Sequence, residues 1–206
     1  DSWYDRRFRY TDIDWDTLVE ETLQFGQRIQ LTIFGGLAYS NTPGKRWTAV
    51  QFFIGLYHKY PNAFNSFEIS NELFKNGPDF NEAVSLMQAV KDACPGLLVS
   101  ISSPPGMEES QYKPYVEAKE TLFTYHVDRD DKNGSDPWRW LKQFWDVAIN
   151  LKFINDSNEP KGMGSSVASE MDPLRLIMSA ATTFISGGYC FHTRPGVRFG
   201  GKADKP

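Results

Sequence analysis

The alternation of strand-like and helix-like segments constrains the fold of this chain more than any other feature. Short apolar runs typical of buried strands are separated by segments in which apolar residues recur with helical spacing. A helix is predicted before the first strand and between each following pair. This alternation predicts an α/β fold with a parallel sheet, although the pattern does not distinguish an open sheet from a barrel. The six predicted strands are 28–34, 66–72, 97–102, 121–127, 153–159 and 189–192.

Two of the predicted helices carry clear end signals and an apolar face. Asp79 and Glu82 resemble a capping box, and the helix that follows them ends before Pro95-Gly96. Its predicted buried face consists of Ala83, Met87, Val90 and Cys94. The helix predicted over 45–60 has an apolar stripe made of Trp47, Val50, Ile54 and Tyr57.

Polar residues collect at the carboxyl ends of the predicted strands, whereas the opposite ends carry glycine and proline. In parallel α/β folds the carboxyl ends of the strands form the functional face. The run 66–72 ends in Asn71-Glu72, and the run 153–159 repeats this pattern with Asn158-Glu159. Packing alone does not explain a carboxylate after a buried strand, because burial of an unpaired charge is costly. We therefore predict two carboxylates facing one cleft. The polar strand ends are Glu72, His126, Asp128, Asn158, Glu159 and His192.

Length and composition narrow the range of functions. The chain has 206 residues, which is enough for one domain with a substantial core. Its net charge of −4 and pI near 5.4 argue against a nucleic-acid partner. No apolar run approaches the roughly 20 residues that span a bilayer, so no membrane partner is expected. The two cysteines, Cys94 and Cys190, lack metal-type spacing and are predicted to be buried thiols. The cellular compartment stays open.

The strand endings resemble those of the large clan of retaining glycoside hydrolases built on a (β/α)8 barrel. The resemblance rests on Asn71-Glu72 after one strand, His126 on a later strand and Glu159 after the next. In that clan an Asn-Glu pair ends the fourth strand and a second Glu ends the seventh. The order matches if the predicted strands are numbered three to eight, and the match covers nearly the whole chain. The implied fold is a TIM-barrel-like domain over 1–206 that lacks its first two strands.

The resemblance also implies an activity and a set of site residues. Glu72 would be the general acid/base and Glu159 the nucleophile of a retaining double displacement, with the two carboxyl groups about 5–5.5 Å apart. The nearby anion and burial would keep Glu72 partly protonated. No cofactor is implied; the expected partners are a carbohydrate substrate and the remaining part of a longer chain. The implied substrate-binding residues are Asn71, Tyr39, His126, Asn158 and His192.

The spacing of the two glutamates gives a separate check. A barrel of roughly 250 residues has about 31 residues in each of its eight units, so three units span about 90. Glu72 and Glu159 are 87 residues apart (159 − 72 = 87). By the same estimate 206 residues make about six and a half units. The chain departs from the clan in two ways. Phe191-His192 stands where the clan commonly has a Trp, and the Arg that the clan commonly places on its second strand cannot be assigned here.

Several alternatives stay open on sequence. The chain is either an active hydrolase or an inactive glycosidase-like module that binds carbohydrate or serves a larger assembly. A weaker alternative is a barrel enzyme for a phosphorylated small molecule, bound at Gly162–Ser166. Asp156 competes with Glu159 for the role of second carboxylate. Glu68 lies on the same side of its strand as Glu72 and is either a supporting acid or a salt-bridge partner.

Overall fold

The computed structural model describes residues 10–35, 41–73, 77–103, 118, 121–125 and 154–156. The chain divides into two compact units, Asp1–Ser102 and Ser103–Pro206. Each unit is described by itself below. The single barrel domain over 1–206 stays a prediction, as does the absence of the first two strands.

The first unit contains most of the described secondary structure. Its order is a short 3-10 helix (Tyr10–Asp12), α1 (Trp15–Gln24), β1 (Ile29–Phe34), α2 (Pro43–Lys59), β2 (Phe64–Ser70), α3 (Phe80–Ala93) and β3 (Leu98–Ser100). Three further strands are β4 (Ser102–Ser103), β5 (Leu122–Tyr125) and β6 (Ile154–Asp156). The strand predicted over 97–102 is thus interrupted at Ile101. The strand predicted over 189–192 lies outside the described residues.

The strands form parallel pairs, as the alternation of elements predicted. In the first sheet the order is β1-β2-β3, and β1 and β3 both run parallel to β2. The register places Thr32 of β1 and Ser100 of β3 on either side of Glu68 of β2. The second sheet has the order β4-β5-β6, with β5 and β6 parallel and Thr124 opposite Asp156. The prediction of a mixed α/β fold with a parallel sheet is confirmed, whereas the assignment of strands three to eight is not tested.

The core of the first unit lies between one face of its sheet and the helices. Val50, Phe53 and Ile54 of α2 are buried, and the rings of Phe64 and Phe67 meet edge-to-face with centroids 5.3 Å apart. The face predicted for α3 is buried as expected, and it consists of Ala83, Met87, Val90 and Cys94. Burial raises the pKa of the Cys94 thiol to about 11, so this thiol stays protonated at neutral pH.

The stripe predicted for α2 is wrong at Trp47. The Trp47 side chain is 48% exposed, and its neighbour Arg46 is buried in its place. Arg46 faces inward because Nε and Nη2 donate to the two carboxylate oxygens of Glu82 at 2.7 and 2.6 Å. This two-bond ion pair joins α2 to α3 and raises the pKa of Arg46. Apolar periodicity does not reveal such a partner, which is 36 residues away in the sequence.

The helix ends follow from short polar side chains. Asp14 caps α1 by accepting from the backbone N–H of Thr17 at 3.1 Å. Thr42 caps α2, with Pro43 in the first turn. Asp79 caps α3 by accepting from the Glu82 N–H at 3.1 Å, which confirms one half of the predicted capping box, while the Glu82 carboxylate bonds Arg46. None of the described helices is both long and apolar enough to cross a bilayer.

Candidate active site

One face of the first sheet is polar and yet buried. Along β2 the side chains of Ser66, Glu68 and Ser70 share one face because successive residues of a strand point to opposite sides. All three are at most 1% exposed. Ser100 of β3 lies beside Glu68 in register and is also buried. Burial of polar groups has an energetic cost, so a whole polar face indicates a role besides packing.

Glu68 is held by its neighbour on β1. Thr32 Oγ1 donates a hydrogen bond of 2.6 Å to Glu68 Oε2. The two residues are opposite one another in the β1–β2 register, so the bond follows directly from the strand pairing. Glu68 is therefore a fixed acid inside the sheet.

The predicted Asn-Glu pair forms the turn in which β2 ends. Both side chains are buried, Asn71 at 7% and Glu72 at 5% exposure. The Asn71 N–H donates to the Phe34 carbonyl at 2.9 Å, which extends the contact with β1 by one residue. Glu72 then adopts a left-handed backbone conformation with φ of 47°. Its N–H donates to Ser102 Oγ at 2.7 Å.

Gly77 packs closely against the end of β2. Its N–H donates to the Leu73 carbonyl, four residues earlier, at 2.9 Å. A Cβ at position 77 would lie 2.2 Å from Ser70 Oγ and 2.9 Å from the Leu73 carbonyl oxygen. Only glycine fits in this position without a shift of backbone atoms. The Asn71-Glu72 turn is thus bounded by β1, by Ser102 and by the loop that carries Gly77.

The described residues include only part of the predicted site. Asn71 and Glu72 lie together at the carboxyl end of β2, as predicted. Asp156, the alternative second carboxylate, is the last residue of β6. The other predicted site residues and the phosphate-binding alternative lie outside the described residues: Glu159, Asn158, His126, Asp128, His192, Tyr39 and Gly162–Ser166. The carboxylate pair therefore stays a prediction.

Three features of the site were not predicted from sequence. They are the left-handed backbone of Glu72, the Ser102 hydroxyl beneath it and the Thr32–Glu68 bond. The only signal for the last two was a hydroxyl side chain inside an otherwise apolar strand. Strand periodicity shows which face such a residue occupies, but its partner depends on register, which requires the structure.

The described part of the chain contains no group of three or more His, Cys, Asp or Glu side chains arranged to hold a metal ion. The chemistry available at the end of β2 is that of a carboxyl group beside a carboxamide. A carboxyl group transfers protons or attacks an electrophilic carbon, and a carboxamide both donates and accepts hydrogen bonds. This combination suits a substrate with several hydroxyl groups.

Comparison by sequence yields no relative. No protein-family model matches the chain, and no curated protein matches it.

Comparison by structure finds solved structures with a similar fold. A glycoside hydrolase family 5 structure from Bacteroides vulgatus ATCC 8482 matches 98% of this chain with a TM-score of 0.64 and 13% identity. Another structure from the same organism, provisionally described as a glycoside hydrolase, matches 86% of the chain with a TM-score of 0.65 and 10% identity. The chain spans 50% and 34% of those two proteins, respectively. Over most of its length, the chain shares its fold with part of two glycoside hydrolase structures.

Proposed function

We propose that this chain is the part of a glycoside hydrolase that carries the general acid/base, and that Glu72 has this role. The observation that supports the proposal best is the buried Asn71-Glu72 turn at the carboxyl end of a parallel strand. In parallel α/β folds this end of the sheet binds substrate. The fold shared with two glycoside hydrolases supports the same enzyme class.

The proposed reaction is a double displacement with retention of configuration. Glu72 donates its proton to the glycosidic oxygen while the bond from that oxygen to the anomeric carbon breaks. The Glu159 carboxylate attacks the anomeric carbon and forms a glycosyl-enzyme ester. Glu72, now a carboxylate, takes a proton from water, and the water oxygen displaces Glu159. The proton and both carboxyl groups return to their starting states.

The remaining predicted residues would bind the sugar. The Asn71 amide lies next to the acid/base in the sequence and would hydrogen-bond a hydroxyl of the reacting sugar. A β-linked poly- or oligosaccharide is the proposed substrate, and the mechanism requires no cofactor. The other proposed sugar contacts are Tyr39, His126, Asn158 and His192.

The role of Glu72 is tested with two aryl β-glycosides that differ in leaving group. A dinitrophenolate leaves without protonation, whereas a poor leaving group needs the proton of Glu72. We expect Glu72→Gln to lower kcat/KM, which reports the first displacement, about 10²–10⁴-fold on the poor leaving group and much less on the good one. Glu21→Gln, at an exposed position on α1, is the matched control and should leave both rates unchanged.

The role of Glu159 is tested by the stereochemistry of the product. NMR spectra recorded early in the reaction should show the β-anomer first if the mechanism is retaining, and Glu159→Gln should remove turnover of both glycosides. First release of the α-anomer would exclude the double displacement. Equal loss on both leaving groups in Glu72→Gln would exclude Glu72 as the acid.

An inactive carbohydrate-binding module is the second candidate. It is supported by Phe191-His192, which stands where the resembled clan commonly has a Trp. The two candidates differ in one combined measurement. Calorimetry measures binding of an oligosaccharide, and an assay for reducing ends measures cleavage of a panel of β-linked substrates. Binding without cleavage would favour the module.

A further inference from the structure

The backbone of Glu72 is held in a conformation that its residue type disfavours. With φ of 47°, Glu72 is the only residue other than glycine with positive φ in the described part of the chain. In this left-handed region the Cβ of an L-residue crowds the following carbonyl oxygen. Such a conformation persists only when the surrounding structure imposes it. The contacts around Glu72 therefore need to be identified.

The Ser102 hydroxyl contacts the backbone on both sides of the turn. Ser102 Oγ accepts the Glu72 N–H at 2.7 Å and lies 3.4 Å from the Ser70 carbonyl, to which it donates. A hydroxyl has one donor and two acceptor positions, so it can make both bonds at once. Ser102 is fully buried, which excludes water as an easy substitute for either bond. One hydroxyl thus connects the last residue of β2 to Glu72.

Two further contacts fix the neighbours of Glu72. The Asn71 N–H is bound by the Phe34 carbonyl at 2.9 Å. Gly77 closes the loop onto Leu73 and Ser70. Residues 71 and 73 are therefore held on either side of Glu72, and Ser102 is the side chain that binds the Glu72 backbone directly.

We infer that Ser102 is a positioning residue that holds the backbone of Glu72 in the left-handed conformation and so sets the direction of its carboxyl group. The effect on catalysis rests on the proposed function, whereas the role of Ser102 in holding the backbone does not. Because Cα–Cβ direction depends on φ and ψ, loss of the Ser102 hydroxyl would let residue 72 relax and turn its carboxyl group away from the reacting oxygen. A misplacement of about 1 Å lowers rates by about 10²-fold.

The experiment compares Ser102→Ala with Ser66→Ala. Ser66 of β2 is the control because it is also a fully buried serine, and its hydroxyl has no hydrogen-bond partner among the described residues. Amide hydrogen exchange of Glu72, followed by NMR, reports the bond to Ser102 without reference to activity. We expect exchange about fivefold faster or more in Ser102→Ala, the ratio for loss of a typical net hydrogen bond, and no change in Ser66→Ala.

Steady-state kinetics then test the catalytic consequence. We expect Ser102→Ala to lower kcat about 10–10²-fold with KM changed less than about twofold, because substrate contacts remain. If Ser102→Ala does not fold, the isosteric pair Ser102→Thr and Ser102→Val replaces it, and only Thr should retain slow exchange and activity.

The outcomes separate this inference from the proposed function. Unchanged exchange at Glu72 in Ser102→Ala would overturn the positioning role, and so would faster exchange with unchanged kcat. An equal fall of kcat in Ser66→Ala would also overturn it, since the effect would then be general to buried serines. Absence of turnover in the wild-type protein would instead contradict the proposed function, while the exchange measurement would still decide whether Ser102 holds the turn.

Discussion

Glu72 combines two properties that are rarely found together in a residue selected for stability. It has a left-handed backbone, and it buries an ionisable side chain after a strand. Glycine would adopt this backbone without steric crowding. Glu in a position that suits Gly is explained if the carboxyl group is needed there. Backbone strain and function should therefore both be tested at this residue.

The strain at Glu72 is measured by comparing Glu72→Gly with Glu72→Ala. Both variants lack the carboxyl group, so their difference isolates the backbone. We expect the Gly variant to have the higher free energy of unfolding, by about 1 kcal/mol, because it lacks a Cβ in the left-handed region. Urea denaturation gives the two values.

A control at an ordinary helical position should show the opposite sign. Glu21 lies within α1, where glycine is less favourable than alanine by about 1 kcal/mol. Glu21→Gly should therefore be less stable than Glu21→Ala. If Gly and Ala ranked in the same order at 21 and at 72, the left-handed conformation of Glu72 would not be a source of strain.

At the scale of single elements, the packing against the end of β2 depends on Gly77. A methyl group there would meet Ser70 Oγ, Leu73 Cδ1 and the Leu73 carbonyl. We expect Gly77→Ala to lower the free energy of unfolding by about 1–3 kcal/mol, the usual cost of overpacking. Thermal or urea denaturation measures the change.

Gly55 provides the contrast for this prediction. It lies within α2, and a Cβ there would meet nothing within 4 Å. Gly55→Ala should raise stability by about 0.5–1 kcal/mol, because alanine is the better helix former. If Gly77→Ala and Gly55→Ala were destabilised by similar amounts, the contacts around position 77 would not be the reason that it needs glycine.

The N-terminus of α1 makes a pH-dependent contribution to stability. Hydrogen bonds from the Thr17 backbone and hydroxyl hold the pKa of Asp14 below its ordinary value of 3.8. A carboxyl group with a lowered folded-state pKa stabilises the fold above its unfolded-state pKa, and the contribution is lost as the pH falls through the folded-state value. We therefore expect Asp14→Ala to have a lower free energy of unfolding than the wild-type protein at about pH 7. This difference should shrink below about pH 3.8.

Asp14→Asn distinguishes charge from capping. Asparagine caps helices well but does not titrate. This variant should retain most of the stability at neutral pH without the acid-dependent loss at this site. A deficit of Asp14→Ala that stayed constant from neutral to acid pH would contradict the role of the charged form.

Several element boundaries could be predicted from the sequence because their signals are local. Asp79 marks the start of α3 by its own side chain, and the face of α3 follows from its spacing. The helix predicted over 45–60 instead begins two residues earlier, at Pro43 after the Thr42 cap. The exposure of Trp47 could not be predicted, because the rotation of α2 depends on the Arg46–Glu82 pair. Interactions between residues distant in the sequence decide such details.

At the scale of the whole chain, the sequence predicted a parallel α/β fold and a likeness to glycoside hydrolases. Both predictions rest on repeated local patterns, and the two similar structures agree with them at the level of fold. The predicted pairing of Glu72 with a second carboxylate is different in kind. It depends on how strands nearly 90 residues apart come together, which no local pattern specifies.

The buried polar face of the first sheet has a consequence for how this protein evolves. The Ser66 and Ser70 hydroxyls are buried without a hydrogen-bond partner among the described residues. Replacement of such groups by apolar ones is often neutral or stabilising. At Ser70, the last residue before the Asn71-Glu72 turn, selection for thermal stability and selection for turnover should therefore enrich different residues in one mutant library, as in other proteins whose sites limit their stability.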